Sequence, residues 1–467
     1  MIQCPRLIIA GLGGDSGKTA VSVGLCRFWQ QHGLKAVPFK KGPDYIDMAW
    51  LNYSAKRPCY NLDLFLMSRH QILSSFMLNS EHADIAVIEG NRGLYDGLDE
   101  QGSVSTAEVA KLLQSPVILI ADCTKITRTM AALVRGCQVF DPEVPIKGVI
   151  MNKLATPRHE SVIRRSIEQY CDIPVVGAIP KLTDVTFPGR HLGLIPPQEH
   201  PSTEQAITSS AEIIKKYLDM ETVMQIARQA PSVLIPSALT EGSGMTIKTA
   251  PVKIGVIRDS AFQFYYQENI DSLRKAGAEV ILFSALTDDL PDSLDALYIG
   301  GGFPETHAER LSANKKMLSA LKRAADNGLP IYAECGGLMY LGEALVTDGK
   351  SFPMTGIFPI TFGVHKKPQG HGYAIAEVVS LNPFFEKGIT LKGHEFHYSH
   401  VLGISENNFC SFAFNMIKGN GIVNKIDGIF FRNVLATYMH LHAAGTPAWV
   451  DGIIRNSLAY HEKKLIN

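Results

Sequence analysis

The sequence predicts two successive α/β units on one chain. Three observations carry this. Short apolar runs alternate with longer amphipathic stretches through the first half. A Pro/Ser/Thr/Gly-rich stretch, residues 230–251, breaks that alternation, and the alternation restarts at Lys253. Taken in order, Arg6-Leu7-Ile8-Ile9-Ala10 reads as a strand closed by Gly11. From about Lys18 a helix follows, with Val21, Leu25, Phe28 and Trp29 at helical spacing. Ile85–Ile88, Pro116–Ile120 and Gly148–Met151 are further strands, each separated by enough chain for a crossover helix. That arrangement predicts a parallel sheet covered on both faces. In the second unit Lys253–Ile257, Val280–Phe283 and Ala296–Ile299 read as strands, with a helix ending at Gly277 between the first two. The expected boundaries are 1–229, a linker 230–251, and 252–467.

The chain has 467 residues, enough for two domains or more. Its 45 basic and 45 acidic side chains cancel, which excludes a basic nucleic-acid clamp and an acidic solvating tail. With 46% hydrophobic and 19% charged residues it has the composition of a folded globular chain rather than a disordered one. No window approaches the roughly 18 uninterrupted apolar residues of a membrane span. The N-terminal apolar stretch is too short for a signal segment. Eight cysteines are scattered without a CxxC pair, so neither a disulfide framework nor a zinc ribbon is expected. The expectation is a cytoplasmic enzyme with no nucleic-acid or membrane partner.

Gly11-Leu12-Gly13-Gly14-Asp15-Ser16-Gly17-Lys18-Thr19 lies between the first strand and the first helix. In that context backbone N–H groups and the helix N-terminus can wrap phosphates. Lys18 then neutralises the outer phosphates and the Thr19 hydroxyl ligates Mg²⁺. Five residues separate Gly11 from Gly17, one more than the strict expression allows. Partition-type switches carry a second lysine where this chain has Gly13. Two acidic segments complete the candidate site: Lys40-Lys41-Gly42-Pro43-Asp44-Tyr45-Ile46-Asp47, and Glu89 at the C-terminal end of an apolar strand. Glu89 with Asp44 or Asp47 supplies the one or two carboxylates that Mg²⁺ takes beside phosphate oxygens. Asp96, on the loop Gly93–Gly97, is within reach of the same place.

In the second unit Pro330-Ile331-Tyr332-Ala333-Glu334-Cys335-Gly336-Gly337-Leu338 reads as a strand, a tight turn and a helix, which presents a thiol at a helix N-terminus and favours thiolate. Gly300-Gly301-Gly302 ends another strand, and its N–H groups form a candidate oxyanion hole. His440 and His442 are both candidate bases, and strand alternation puts them on one face. The segment His394-Glu395-Phe396-His397-Tyr398-Ser399-His400 is not HExxH, and a substrate-facing strand suits it better than a metal centre.

A phosphate-binding unit joined to a cysteine–histidine unit suggests activation of a carboxylate by ATP and release of ammonia from an amide. Here the residues resemble one family along nearly the whole chain: the glutamine-dependent cobyrinic acid a,c-diamide synthases. The matching stretches are Lys41–Asp47, Asn61-Leu62-Asp63, Glu89-Gly90 with Gly93–Gly97, Arg190–Leu194 and Arg258–Phe262 with Tyr265-Tyr266. They continue with the triple glycine and Pro304-Glu305, Glu334–Gly337, and Tyr438–His442. The first loop also resembles that of dethiobiotin synthetase, with the same spacing.

The resemblance implies a dethiobiotin-synthetase-like P-loop sheet followed by a class I glutamine amidotransferase-like α/β domain. It implies that ATP and Mg²⁺ phosphorylate tetrapyrrole carboxylates and that ammonia from L-glutamine, released at Cys335, displaces phosphate at the a and c acetates. By the same match His440 is the base, with no third triad member after it. Gly13, Gly14, Gly17, Lys18, Thr19 and Asn152 bind ATP, and Thr19, Asp44, Asp47 and Glu89 hold the metal. Tyr45 and Asp96 face substrate, Gly301 and Gly302 form the oxyanion hole, and a homodimer is the implied assembly. Asn91-Arg92 and Lys366–Tyr373 depart from the commonest forms and resemble relatives that amidate sirohaem or nickel-sirohydrochlorin. A nucleotide-controlled binding protein with an inactive glutaminase unit is the alternative of a different class.

Overall fold

The computed structural model describes residues 3–182, 189–190, 193–200, 202–233, 252–405 and 410–466. Most of the expected linker, and His191 and Leu192 of the Arg190–Leu194 match, lie outside the described residues. The chain divides into two compact units, residues 1–241 and 242–467.

The first unit is a seven-stranded sheet in the order β3-β2-β4-β1-β5-β6-β7. The strands are β1 (Arg6–Gly11), β2 (Ala36–Lys41), β3 (Tyr60–Leu62), β4 (Ile85–Gly93), β5 (Val117–Asp122), β6 (Ile146–Leu154) and β7 (Val175–Pro180). Every neighbouring pair is parallel. Ile85, Ala86, Val87 and Ile88 are all fully buried, as a central strand covered on both faces requires. Helix α1 (Lys18–Gln31) follows β1 directly. Val21, Leu25 and Trp29 are buried as expected, but Phe28 is only half-buried while Val23 and Cys26 are buried. The burial is broader than one amphipathic stripe because α2 (Ile46–Ala55) and the helix Thr203–Tyr217 also pack on α1. The carboxyl ends of β1, β4 and β2 lie side by side where the strand order reverses, the usual ligand crevice of an open α/β sheet.

The second unit is a ten-stranded mixed sheet. Glu279–Phe283, Lys253–Ile257, Ala296–Ile299, Ile331–Glu334 and Val434–Thr437 are parallel neighbours. The chain continues outward with antiparallel strands, ending on Thr390–His397 paired with His440–Leu441. Alternation along Ile331–Glu334 divides the core: Ile331 and Ala333 face one apolar cluster and Tyr332 the other. Among the described residues no helix is long and apolar enough to cross a membrane.

Candidate active sites

In the first unit β1 runs into the glycine loop, and Gly17 takes φ 99°, a left-handed conformation that glycine adopts freely. A Cβ there would also lie 2.5 Å from Asn152 Nδ2, so the position is closed to larger residues twice over. Lys18 folds back along the loop, its ammonium donating to Gly13 O at 2.9 Å and Ser16 Oγ at 3.4 Å. Burial, and then the charge of Lys40, pull the Lys18 pKa below its ordinary value. An incoming polyphosphate would supply counter-charge there.

Beside the loop stands a buried ionic cluster. The β2–β4 register sets Lys40 opposite Glu89. Lys40 Nζ donates to Glu89 Oε1 at 2.8 Å and Asp47 Oδ2 at 2.7 Å, and Thr19 Oγ1 donates to Glu89 Oε1 at 2.7 Å. Burial disfavours the charge on Lys40, but Asp47 and Glu89 outweigh it and hold the ammonium protonated. Burial likewise pushes Glu89 up to about 7, and burial with the nearby Asp47 pushes Asp44 up to about 6. Glu89 Oε2 is buried without a hydrogen-bond partner. An orphaned carboxylate oxygen beside a hydroxyl and a second carboxylate fits a hard divalent cation.

These groups line one end of a cleft of about 800 Å³ whose other side includes Asn152, Lys153 and Ile179–Leu182. Of the residues expected here, Gly14, Gly17, Lys18, Thr19, Asp47, Glu89 and Asn152 line the cleft. Gly13 contributes the carbonyl that holds Lys18. Asp44, Tyr45 and Asp96 are not on its wall. Asp44 Oδ1 accepts from Asp47 N (2.8 Å) at the start of α2, and Asp96 Oδ2 accepts from Gly93 N (2.8 Å), closing its own loop. Asn152 is already engaged: Nδ2 donates to Ser16 O at 2.9 Å and Oδ1 accepts from Lys153 N at 2.8 Å, so its side chain braces the glycine loop. Sequence reading did not single out Lys40. The two lysines of Phe39-Lys40-Lys41 point to opposite faces of β2, and only the sheet order shows which face meets Glu89.

In the second unit Cys335 follows the strand Ile331–Glu334 with φ 48° and ψ −99°, and the helix Gly336–Leu341 starts at the next residue. A non-glycine residue there is strained, as in a nucleophile elbow. Its N–H is held by Thr437 O at 2.8 Å, which ties the turn to the neighbouring strand that leads to His440. A Cβ built on Gly301 would lie 2.5 Å from His440 Cε1, 3.2 Å from Nε2 and 3.5 Å from Cys335 Cβ. Imidazole and cysteine therefore flank one glycine that admits no side chain. The backbone N of Gly302 would lie 3.0 Å from a Cβ on Gly336, so the glycine triplet packs directly on the turn.

The helix N-terminus does not win at the thiol. Burial pushes Cys335 well above the ordinary range, the charge of Glu305 adds to it, and the Gly336 N–H opposes them only in part. Burial here works against the thiolate that the helix N-terminus favours. His442 lies toward Glu268, Nε2 to Oε2 3.5 Å, while His440 lies with Cys335 against Gly301. Alternation misleads because the strand covers only His440–Leu441. A carboxylate does stand beside His440. Glu334 Oε2 lies 3.4 Å from His440 Nδ1, and it precedes the cysteine instead of following the histidine.

His394, His397 and His400 are dispersed. His394 stacks on His440 (4.9 Å between centroids), His397 stacks on Tyr438 (3.7 Å), and His400 lies beside His365 (6.0 Å). Among the described residues no group of three or more His, Cys, Asp or Glu is arranged to hold a metal.

Asp427 anchors the approach to His440. It is fully buried and accepts from Thr437 Oγ1 (2.8 Å), Gly428 N (2.7 Å) and Tyr438 N (3.1 Å). Burial, with a contribution from Glu395, pushes it up to about 7. A carboxyl whose folded pKa exceeds its unfolded value loses stability as pH rises between the two. Relative to Asp427→Asn, the wild type should therefore become less stable from pH 4 to pH 8, by at most about 4 kcal/mol at 1.4 kcal/mol per pKa unit. Chemical denaturation of both proteins at the two pH values measures this, and a constant difference would contradict it.

Comparison with known proteins follows the same division. The CobQ/CobB/MinD/ParA nucleotide-binding domain matches residues 7–195, and the CobB/CobQ-like glutamine amidotransferase domain matches residues 253–448. The chain is 40% identical over 456 residues to the cobyrinate a,c-diamide synthase of Magnetococcus marinus, covering 97% of each chain. It is 40% identical over 444 residues to that of Archaeoglobus fulgidus, 94% of this chain and 95% of the relative. To that of Methanobrevibacter smithii it is 39% identical over 443 residues, 95% and 96% of the two chains. With both sites in place and such likeness from end to end, the chain belongs to the cobyrinate a,c-diamide synthase family.

Proposed function

We propose that this chain is an ATP- and glutamine-dependent amide ligase that converts the a and c acetate carboxylates of cobyrinic acid to amides. The observation that carries the reading is the pairing, on one chain, of a lysine-bearing glycine loop beside buried carboxylates with a cysteine turn facing a histidine. A free carboxylate is a poor electrophile, and an acyl phosphate is a good one. The first unit supplies the activation and the second the nucleophile.

In the first unit Lys18 and the loop N–H groups hold the phosphates, with Thr19, Asp47 and Glu89 as the set that would hold Mg²⁺. When bound, that ion offsets charge on the phosphoryl oxygens. Lys40 pairs with both Glu89 and Asp47 and fixes them in place until then. Tyr45 and Asp96 act on the substrate side; Asp96 closes the loop at Gly93, and Asp44 holds the turn that carries Asp47.

In the second unit His440 Nε2 takes the thiol proton as Cys335 Sγ bonds to the amide carbon of glutamine. N–H groups of Gly301 and Gly302 face the oxygen on which negative charge develops. Collapse of that intermediate breaks the C–N bond, and the proton leaves on ammonia. Water then cleaves the thioester and releases glutamate. The reading places the protein in the cytoplasm, with glutamine and a carboxylate-rich tetrapyrrole as partners and a second copy of the chain in its assembly.

Arg92, on left-handed backbone (φ 52°), and Asn91 line the cleft, so the macrocycle is worth testing as a set. With protein, ATP, Mg²⁺ and glutamine, mass spectrometry of parallel reactions on cobyrinic acid, sirohaem and nickel-sirohydrochlorin should show two amidations on cobyrinic acid. Amidation of only one of the other two would keep the reaction and move the substrate. Glutamate release without any amide would overturn the substrate reading.

A further inference from the structure

We infer that Glu334 is the positioning residue of the glutamine site, the third member of a Cys335–His440–Glu334 array whose carboxylate comes from the residue just before the nucleophile. The inference rests on the reading of Cys335 and His440 as nucleophile and base. The carboxylate is fully buried at the end of the strand Ile331–Glu334. Its oxygens are fixed from two sides: Oε1 accepts from Leu441 N at 3.2 Å, and Oε2 accepts from Tyr298 OH at 3.1 Å. Asn269 braces the same place, its Nδ2 donating to Leu441 O at 2.8 Å and to Tyr298 OH at 3.4 Å. What remains of Oε2 faces His440 Nδ1 at 3.4 Å.

This arrangement settles which imidazole nitrogen does what. A carboxylate at Nδ1 fixes the tautomer with the proton on that nitrogen. Nε2 is then the acceptor, on the ring edge that lies with Cys335 against Gly301. When Nε2 takes the thiol proton, Glu334 supplies the opposite charge to the imidazolium and takes up no proton itself. Two consecutive residues reach one imidazole because the backbone turns over at Cys335. Strand alternation would send their side chains apart, and φ 48° at the cysteine undoes that. The sequence signal is thus Glu-Cys, invisible to a search for a carboxylate downstream of the histidine.

The test uses the full chain and initial rates of glutamine hydrolysis. Glu334→Gln keeps the side-chain shape and one oxygen acceptor, for Leu441 N or Tyr298 OH, while an NH2 group replaces the other oxygen and the charge is removed. It should lower kcat by about a hundredfold or more and leave KM within about twofold. Added to His440→Ala it should cost nothing further, because the carboxylate acts only through that ring. Circular dichroism and melting temperature of each variant control for folding. A kcat near wild type for Glu334→Gln, or an equal further loss in the His440→Ala background, would make Glu334 a structural strut and overturn the inference. Wild-type hydrolysis by Cys335→Ala or His440→Ala would instead overturn the underlying reading of the site, whatever Glu334 does.

Discussion

Cys335→Ala is expected to stop glutamine-dependent amide formation, by at least about a thousandfold, while ammonium salts still support the reaction. Cys335 alone bears the thiol in the pocket formed with Gly301 and His440. On the proposed reading the ligase chemistry belongs to groups on the first unit, among them Lys18, Thr19 and Glu89. Cys335 is a small buried side chain, so alanine changes little volume and should leave the fold intact. Initial rates with glutamine and with ammonium chloride in parallel measure the split. Loss of both rates in a folded variant would contradict the division of labour, as would retention of both.

The second large effect is expected at Lys40. Lys40→Met takes from Glu89 and Asp47 the ammonium that lies within 2.8 Å of both. Breaking a buried pair by removing one member typically costs about 3–5 kcal/mol, more than a surface pair contributes by several-fold. The loss should appear as a lower melting temperature in EDTA and as loss of amide formation with glutamine and with ammonia alike. Mg²⁺ should restore part of the melting temperature in Lys40→Met and shift the wild type less, because in the variant a divalent ion meets two uncompensated carboxylates. An equal Mg²⁺ response in the two proteins would contradict the assignment of Glu89 and Asp47 as the cation site.

Much of this was legible in the sequence wherever a local pattern carries the information. The uniform apolar run before Glu89 requires a strand buried on both faces, and a carboxylate at its end must meet a partner. The glycine loop between strand and helix, and the strand–cysteine–glycine turn, each define their own geometry within a dozen residues. What escaped depends on strand pairing over long separations. Lys40 meets Glu89 only because β4 inserts between β2 and β1. Glu334 meets His440 across 106 residues of sequence. Asn152 is expected to bind ATP, and only the fold shows that its side chain also donates to the glycine loop 136 residues away. At Cys335 two local effects oppose each other: the N-terminus of a six-residue helix favours the thiolate, and burial, visible only in the fold, pushes the thiol the other way.

The central claim is that two units of one chain move nitrogen from glutamine to a carboxylate activated by phosphorylation. Isotope transfer tests it most directly. Cobyrinic acid with ¹⁸O in its carboxylates is incubated with the protein, ATP, Mg²⁺ and [amide-¹⁵N]glutamine, and amide product and inorganic phosphate are analysed by mass spectrometry. The account predicts one ¹⁵N per amide formed and one ¹⁸O delivered to phosphate for each. Amides without ¹⁵N, or phosphate without ¹⁸O while amides accumulate, would contradict it.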